Sequence, residues 1–485
     1  MPRSAGDPIE GLPSRPQRCR RTLRGDLGQP RDTIPARSVA LPALLTFVWP
    51  GLGQLAQRRR RTAVVFALPL VPIAILVALF LADGFETAAI RLFDPGLAMT
   101  VFVLIVIVGA WRLAALGEHV LAAGGPRRLR RADVAIVAIL AVLVVETHAI
   151  AGRYAMSFYD AGTAIYDPGP TLGPDATPGP SGFVVPSPYE TPATAESRIN
   201  VLLIGIDSSS IRTHALTDTL IVASVDPKTG ATSMVSFPRD IAEFGLYDGG
   251  TFAGKINSFA NYAESRPQQY PDGGVASLMR EVGFLLGIPI HYYASVNLDG
   301  FLDVIGAMDY VTINNPRDIA DPVYGGWTDH RPIGFYLTAG VHKLGPQEAL
   351  AYARSRKGVG DSDFTRAARQ QQLLSAVRAR LTDPSLFPRL PQILEAMART
   401  LRTNFPPDRL DEMLLLAKRV DDAATKRFVL GPPYSKHPPT NSTGGTYILR
   451  LNMARVEKLS VNLYGEDSAY WTASSAASPA PSASP

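Results

Sequence analysis

"TDTLIVASVDPKTGATSMVSFPRD", Thr217–Asp240, decides the fold of the C-terminal half of this chain. Two short apolar runs, "TLIVASVD" and "ATSMVSF", are rich in β-branched residues and flank the turn "PKTG". Runs of this length, bounded by turn residues, read as paired strands. Upstream, "INVLLIGI" (Ile199–Ile206) is almost wholly apolar, as a strand covered on both faces must be. Downstream, "GGVASLMREVGFLLG" has Val275, Leu278, Met279, Val282 and Leu285 at helical spacing. "HYYASVN" and "DYVTIN" read as strands on either side of a helix, "LDGFLDVIGAM". "PQEALAYARS" is a helix with Pro346 in its first turn. A longer helix is expected from about Ser362 to Leu381, and two more near Pro388–Leu401 and Asp408–Ala417. This alternation predicts a layered α/β/α domain around a mixed central sheet.

Before residue 152 the composition is different. "TAVVFALPLVPIAILVALFLA" (62–82), a span of about 96–112 whose apolar run ends at Trp111, and a span of about 133–151 are each near the ~20 residues that cross a bilayer. Pro69 and Pro72 are tolerated in a membrane helix. Arginine clusters set the expected orientation: Arg58–Arg61 before the first run, Arg112 at the end of the second, and Arg127–Arg131 before the third belong in the cytoplasm. The N-terminus is then cytoplasmic, and everything after about residue 152 is extracytoplasmic. "VALPALLTFVWPGLGQLA" (39–56) is interrupted by Pro50, Gly51 and Gly53 and has arginines on both sides. It reads as a re-entrant or interfacial segment. The apolar runs begin too late for a cleaved signal peptide.

The formal net charge of +5 does not indicate nucleic acid, because the arginines gather beside apolar runs and the later basic residues are mixed with acids. Cys19 is the single cysteine of the 485 residues, which excludes an intrachain disulfide and a thiolate metal site. Residues 1–38 are expected to be a disordered, arginine-rich cytoplasmic tail, whose arginines could meet anionic lipid or a cytoplasmic partner but are more simply explained by solvation. Residues 152–197 are rich in Pro, Gly, Ser and Thr and are expected to be an extended spacer, and 473–485 a disordered tail. Residues 198–385 are the expected α/β domain, with 386–472 as its C-terminal extension.

"LAYARSRKGVGDSDFTRAARQQQ" (Leu350–Gln372) carries most of the chemistry. Asp363 suits a helix N-cap, and Asp363, Arg366 and Gln370 share one helical face, with Arg369 well round from it. Arg354 and Arg356 end the preceding helix, and the turn "KGVG" can fold them back against this N-terminus. Arginines beside a helix N-terminus suit phosphate oxygens. A surface ion-pair lattice is the alternative. "SFPRD" puts Arg239 and Asp240 just past a strand end, where α/β ligands bind. Asp207 follows one strand and Asp218 opens the next, and two such carboxylates can hold a divalent cation against phosphates. As single residues, each Asp could equally cap a turn.

"NVLLIGID", "TDTLIVASVDPKTGATSMVSFPRD", "KINSFANY", "LGIPIHYYASVNLDGF" and "LGPQEALAYARSRKGVGDSDFTRAARQQQ" resemble, in order, the blocks of the LytR-CpsA-Psr family over roughly Arg198–Leu381. The resemblance implies a magnesium-dependent phosphotransferase. Such an enzyme moves a glycopolymer, whether teichoic-acid-like, arabinogalactan-like or capsular, from a polyprenyl-pyrophosphate carrier to peptidoglycan, forming a phosphodiester. It implies magnesium (or another divalent cation) on Asp207 and Asp218, and pyrophosphate gripped by Arg239, Arg354, Arg356 and Arg366. Asp363 falls on the family's helix acid and Gln370 on its glutamine. Lys255 and Asn257 match the "KIN" block. Leu216 stands where the family usually has an arginine, a loss that Arg212 or His214 could offset. The resemblance also implies an apolar groove for the lipid between sheet and helices. "GGVASLMREVGFLLG" could line it, although ordinary core is the simpler reading of those residues.

Phosphoryl transfer asks mainly for positioning and charge neutralisation. Asp363 is expected to orient an arginine, since an acid among arginines is a weak base. With no Ser-His-Asp set or cysteine nucleophile apparent, direct transfer is expected. The partners are then the lipid-linked glycopolymer, peptidoglycan and the bilayer, in a multi-pass cell-membrane protein. The alternatives are a pyrophosphatase that only cleaves the carrier, and a non-catalytic membrane regulator that binds polyprenyl phosphate.

Overall fold

A computed structural model describes residues 38–166, 198–207, 216–326, 333–410, 420–421 and 424–471. The expected tails, the spacer beyond Tyr166, Arg212, His214 and most of the helix expected at Asp408–Ala417 lie outside the described residues.

The N-terminal region is helical: α1 (Ala40–Val48), α2 (Leu52–Ala56), α3 (Arg60–Ala67), α4 (Leu70–Phe80), α5 (Phe85–Arg91), α6 (Pro95–Ala122) and α7 (Arg131–Ile165). By length and composition three stretches can cross a membrane: Arg60–Phe80, Pro95–Ala122 and Arg131–Ile165. The first is α3 and α4 in series, stepping at Leu68 and Pro69. All three begin or end beyond the apolar runs themselves. The segment 39–56 is instead two short helices about a turn at Pro50–Gly51, where Gly51 has φ +101°. A polar knot fastens it to α6. Thr46 Oγ1 lies 2.7 Å from His119 Nε2 and 3.1 Å from Gln54 Oε1, and Gln54 Nε2 donates to Ala115 O at 3.0 Å.

The domain that follows begins with β1 (Ile199–Ile206), β2 (Thr217–Val225), β3 (Thr232–Ser236), β4 (Ala242–Gly245), β5 (Thr251–Lys255), α8 (Phe259–Glu264) and α9 (Gly274–Leu286). It continues through β6 (Tyr292–Asn297), α10 (Leu298–Met308), β7 (Val311–Asn315), β8 (Ile319–Asp321), β9 (Phe335–Leu337) and β10 (Gly340–Leu344). Then come α11 (Pro346–Arg354), α12 (Asp363–Leu381), α13 (Leu390–Thr400), β11 (Leu401–Thr403), β12 (Lys426–Val429), β13 (Ser435–Lys436), β14 (Arg450–Leu451) and α14 (Met453–Tyr464). The central sheet has the order β11-β6-β1-β2-β3-β12. It is mixed: β1 runs parallel to β6 and antiparallel to β2, and β12 runs parallel to β3. β7 pairs with β10 in a separate two-stranded sheet.

Alternation along β1 sorts its side chains between two layers. Leu202 and Ile204 enter a core with Leu278, Met279, Val282 and Leu285 of α9. Each such buried side chain contributes about 1.5–3 kcal/mol. Leu203 faces the other way, towards α10, α12 and α13. α9 is therefore ordinary core and does not line the groove.

α7 overruns its expected end at residue 151 and continues to Ile165, so the first part of the expected spacer is helix. The cause is a stripe at helical spacing. Ala155, Phe158, Ala161 and Ile165 are buried, and Phe158, Ala161 and Ile165 cluster with Leu394, Leu390, Met397 and Leu401 on or beside α13. Small residues that suggest a linker are packed closely here: Ala161 lies in the cluster with Leu394, and a Cβ on Gly162 would collide with the Phe93 carbonyl. Tyr154 Oη donates to Phe387 O at 3.2 Å, and the two rings stack. The apolar helix and the domain are thereby joined through α13.

Candidate functional site

The strand ends position the acids. Ile206 of β1 is opposite Thr217 of β2, and Asp207 N–H donates to Leu216 O at 2.8 Å. Asp207 and Asp218 therefore emerge at the same end of the paired strands. β3 ends beside them, since Phe237 N–H donates to Leu220 O at 2.9 Å. That brings Arg239 to Asp218, Nη1 to Oδ2 2.7 Å. Asn257 Nδ2 donates to the other oxygen of Asp218 at 3.3 Å.

The second half of the site comes from α11, α12 and the turn between them. Asp321 ties down that turn by accepting from Ser355 Oγ at 2.8 Å and from the N–H groups of Arg356 and Lys357, each at 3.1 Å. Burial alone would raise the Asp321 pKa, but these hydrogen bonds outweigh it and hold the carboxyl below its ordinary value. Asp361 accepts from Arg369 Nη1 with both oxygens, at 3.0 and 3.1 Å, and from Arg317 at 2.7 Å. The N-cap of α12 is Ser362, whose hydroxyl accepts from Thr365 N–H at 3.2 Å. Asp363, expected as the cap, is instead the first helical residue. Its carboxylate is left to pair with Arg366 at 3.0 Å and Arg356 at 3.5 Å.

Together Asp207, Asp218, Arg239, Arg354, Arg356, Arg366 and Gln370 line one end of a cavity of about 480 Å³. Arg354 Nη2 is 3.9 Å from Asp207 Oδ1, and Gln370 Nε2 donates to Ala353 O at 3.2 Å. The rest of the cavity is apolar, walled by residues such as Phe301, Val304, Leu373, Val377, Leu381 and Met397. A second apolar cavity of about 510 Å³ shares Leu203, Leu374, Met397 and Leu401 with the first. It runs on to Phe93 and Tyr166, at the domain end of the apolar helices.

The charges are closely balanced. Burial alone would lower the Arg239 pKa, but Asp218, Asp240 and Asp363 outweigh it and raise it. Arg366 goes the other way: burial lowers it, and Arg239 and Arg356 add to that against the opposing pull of Asp363 and Asp218.

Lys255 and Asn257 are outside the cavity lining. Lys255 pairs with Asp240, next to Arg239, and Asn257 braces Asp218. Sequence reasoning missed Asp321 and Tyr324. Asp321 is signalled only by the Asp-Pro turn that it opens. Tyr324 has its phenol beside Arg354; burial raises its pKa and Arg354 opposes that.

For a divalent cation the donor set is two carboxylates. Among the described residues no cluster of three or more His, Cys, Asp or Glu could hold a metal. Mg²⁺ commonly takes one or two carboxylates plus substrate phosphates and water. Asp207 and Asp218 fit that pattern, since a carboxylate that accepts hydrogen bonds keeps further lone pairs.

The sequence model of the LytR_cpsA_psr family matches residues 184–460. TagU of Halalkalibacterium halodurans, a polyisoprenyl-teichoic acid–peptidoglycan teichoic acid transferase, is 31% identical over 224 residues, 45% of this chain and 65% of that protein. TagV of Bacillus subtilis, a transferase of the same description, is 30% identical over 230 residues, 47% of this chain and 54% of TagV. Biofilm regulatory protein A of Streptococcus mutans is 28% identical over 214 residues, 43% of this chain and 50% of that protein. The chain thus spans between 50% and 65% of the length of these curated relatives. The crystal structure of B. subtilis TagV aligns with 55% of this chain and 96% of its own, at 27% identity and a TM-score of 0.43.

Proposed function

We propose a function from one premise: the chain belongs to the LytR-CpsA-Psr family. The domain is a phosphotransferase that moves a glycopolymer from a polyprenyl-pyrophosphate carrier to peptidoglycan. The observation that carries this reading is a cradle of arginines at the mouth of an apolar cavity. A pyrophosphate with a prenyl chain on one side has that same division between anion and hydrocarbon. The similarity to TagU and TagV supports a polymer of the teichoic-acid class.

The reaction needs positioning and charge neutralisation more than covalent help. Arg239, Arg354, Arg356 and Arg366 bind the pyrophosphate oxygens, and guanidinium forks suit them. Asp363 aims Arg356 and Arg366 at them. Asp218 does the same for Arg239. An acceptor hydroxyl oxygen bonds to the phosphorus nearest the polymer. The bond from that phosphorus to the bridging oxygen breaks, and polyprenyl monophosphate leaves with that oxygen. The hydroxyl proton passes to water or to the departing phosphate. Asp207 and Asp218 would hold a magnesium ion, which when bound adds charge neutralisation at the phosphates. The prenyl chain lies in the apolar cavity and continues along the second one, towards the apolar helices.

In this reading the three apolar stretches anchor the chain, with Arg58–Arg61 and Arg127–Arg131 on the cytoplasmic side and the domain outside. Reporter fusions after Gly125 and after Trp471 test the orientation; a fusion at Trp471 that reports cytoplasm refutes it. Activity is tested with purified protein, a radiolabelled lipid-linked polymer and peptidoglycan. Transfer of label to peptidoglycan is expected. Release of free polymer alone would establish a pyrophosphatase, and binding without turnover a regulator.

A further inference from the structure

The outer rim of the cradle carries an aromatic pair that the reaction above leaves unused. β13 and β14 pair through Ser435↔Leu451 and Lys436↔Arg450. The loop that they close is fastened beside Arg239. Leu449 N–H donates to Asp240 O at 2.8 Å, and Ala242 N–H donates to Leu449 O at 2.9 Å. Arg450 pairs with Glu243 of β4. On this loop the rings of Tyr447 and His437 stack, with centroids 4.4 Å apart and planes 28° from parallel. His437 Nδ1 donates to Ile448 O at 2.8 Å, because a carbonyl can only accept, and this fixes the imidazole. Tyr447 is nonetheless 44% exposed.

Two features relate this pair to the site. Burial pushes the Tyr447 phenol up, and Asp363 and Asp240 push it the same way. That accords with the backbone bond from Leu449 to Asp240, the neighbour of Arg239, while Asp363 is the acid that holds Arg356 and Arg366. Tyr447 is also outside the cavity lining. With the prenyl chain inside the cavity, in-line displacement requires the acceptor to approach from outside.

We infer that Tyr447, braced by His437, is a stacking platform for the acceptor glycan. The C–H face of one sugar of the peptidoglycan strand packs on the phenol ring, and a neighbouring sugar presents its hydroxyl to the cradle. The slightly positive C–H face of a pyranose complements the negative face of an aromatic ring. This rests on the transferase reading, and it adds the acceptor side to that site.

The test uses the full chain and a soluble N-acetylglucosaminyl–N-acetylmuramyl peptide prepared from peptidoglycan. Binding of this fragment is measured without donor, and the KM values for fragment and donor are measured separately. Tyr447→Ala should weaken fragment binding about tenfold and raise the fragment KM to match, as the loss of one aromatic contact predicts. The donor KM should not move, and Tyr447→Phe should behave as the parent does. The proposal is overturned if the parent does not bind the fragment, or if Tyr447→Ala binds it as tightly as the parent. It is overturned equally if Tyr447→Phe loses as much as Tyr447→Ala, or if the donor KM rises in parallel. Fragment binding that depends on Tyr447 in a parent that transfers no polymer would uphold the platform and refute only the transferase reading.

Discussion

Arg366 and Arg369 stand on the same helix, both buried, at 8% and 6% exposure, yet the proposed function gives them opposite work. Arg369 fastens the turn. It reaches both oxygens of Asp361 and also bonds Ser355 O. Arg369→Met leaves Asp361 buried, with Arg317 as the main remaining cation. Breaking a pair of this burial costs roughly 3–5 kcal/mol. For a domain of this size that lowers the melting temperature by about 10 °C. Arg366 is placed differently: burial and two neighbouring arginines already act against its charge. Arg366→Met relieves that, and Asp363 keeps Arg356 as a partner. Stability should change by less than about 1 kcal/mol. The phosphate contact that the proposed function gives Arg366 would be a charge-assisted hydrogen bond worth about 1.5–3 kcal/mol, so polymer transfer should fall roughly 10- to 100-fold. The assay pairs a thermal melt of each full-length variant with transfer of labelled polymer to peptidoglycan. Suppose Arg366→Met melts as low as Arg369→Met and its transfer merely follows the folded fraction. The arginines would then be a structural ion-pair lattice, and the cradle reading would be wrong.

Leu374 is shared by both cavities, so Leu374→Asn should raise the KM of a long-chain polyprenyl donor about tenfold and leave a short-chain donor unaffected; equal effects on both would detach the cavities from lipid binding. Asp207→Asn should raise the magnesium concentration for half-maximal transfer at least about tenfold, and an unchanged magnesium titration would remove Asp207 from the metal site. Glu281 of α9 is buried, and that burial pushes its carboxyl up to about 7, against the Tyr247 N–H that donates to it at 2.8 Å. A raised acid contributes stability that is intact below its unfolded value near 4.5 and is lost as pH rises through about 7. His291 has the opposite slope. Burial, aided by Arg409, lowers it to about 4, so its contribution is intact above 6.5 and lost as pH falls through 4. The informative quantity is therefore the difference between parent and Glu281→Gln. Across pH 4.5 to 7 the variant should gain on the parent by up to about 3 kcal/mol in denaturant melts, and a constant difference would count against a buried, neutral Glu281.

What could be read in advance depended on the range of the signal. Strand runs, helical stripes and apolar spans are local, and these elements and the mixed α/β layering follow from them. The convergence of the candidate residues was legible because they sit at element ends, where neighbouring strands and a helix turn must converge. Asp207, Asp218 and Arg239 meet through the register of β1, β2 and β3. The roles within the site were harder to read. Ser362 and Asp363 are both good caps by type, and only the backbone shows that Ser362 takes the N–H of Thr365 while Asp363 is left for the arginines. Asp321 was illegible for a different reason: its partners, Ser355 to Lys357, are more than thirty residues away in sequence.

The overrun of α7 and the placement of α9 have a common cause. A helical stripe predicts that a helix is covered, but not by what. Ala161 and Gly162 resemble linker composition until Leu394 of α13 and Phe93 are packed beside them. The stripe on α9 would suit a lipid groove as well as a core until the sheet assigns its faces. That choice is made along β1, where alternate residues point to opposite layers, Leu202 and Ile204 towards α9 and Leu203 towards the cavity. α13 then does two things at once. It walls the cavity with Met397 and Thr400, and it packs on the apolar helix α7 through Leu394. In the proposed function a lipid-linked substrate would therefore meet a cavity wall that is itself fastened to the apolar helix. That arrangement gives the length of α7 beyond its apolar run a purpose that a flexible spacer starting at residue 152 would not have served.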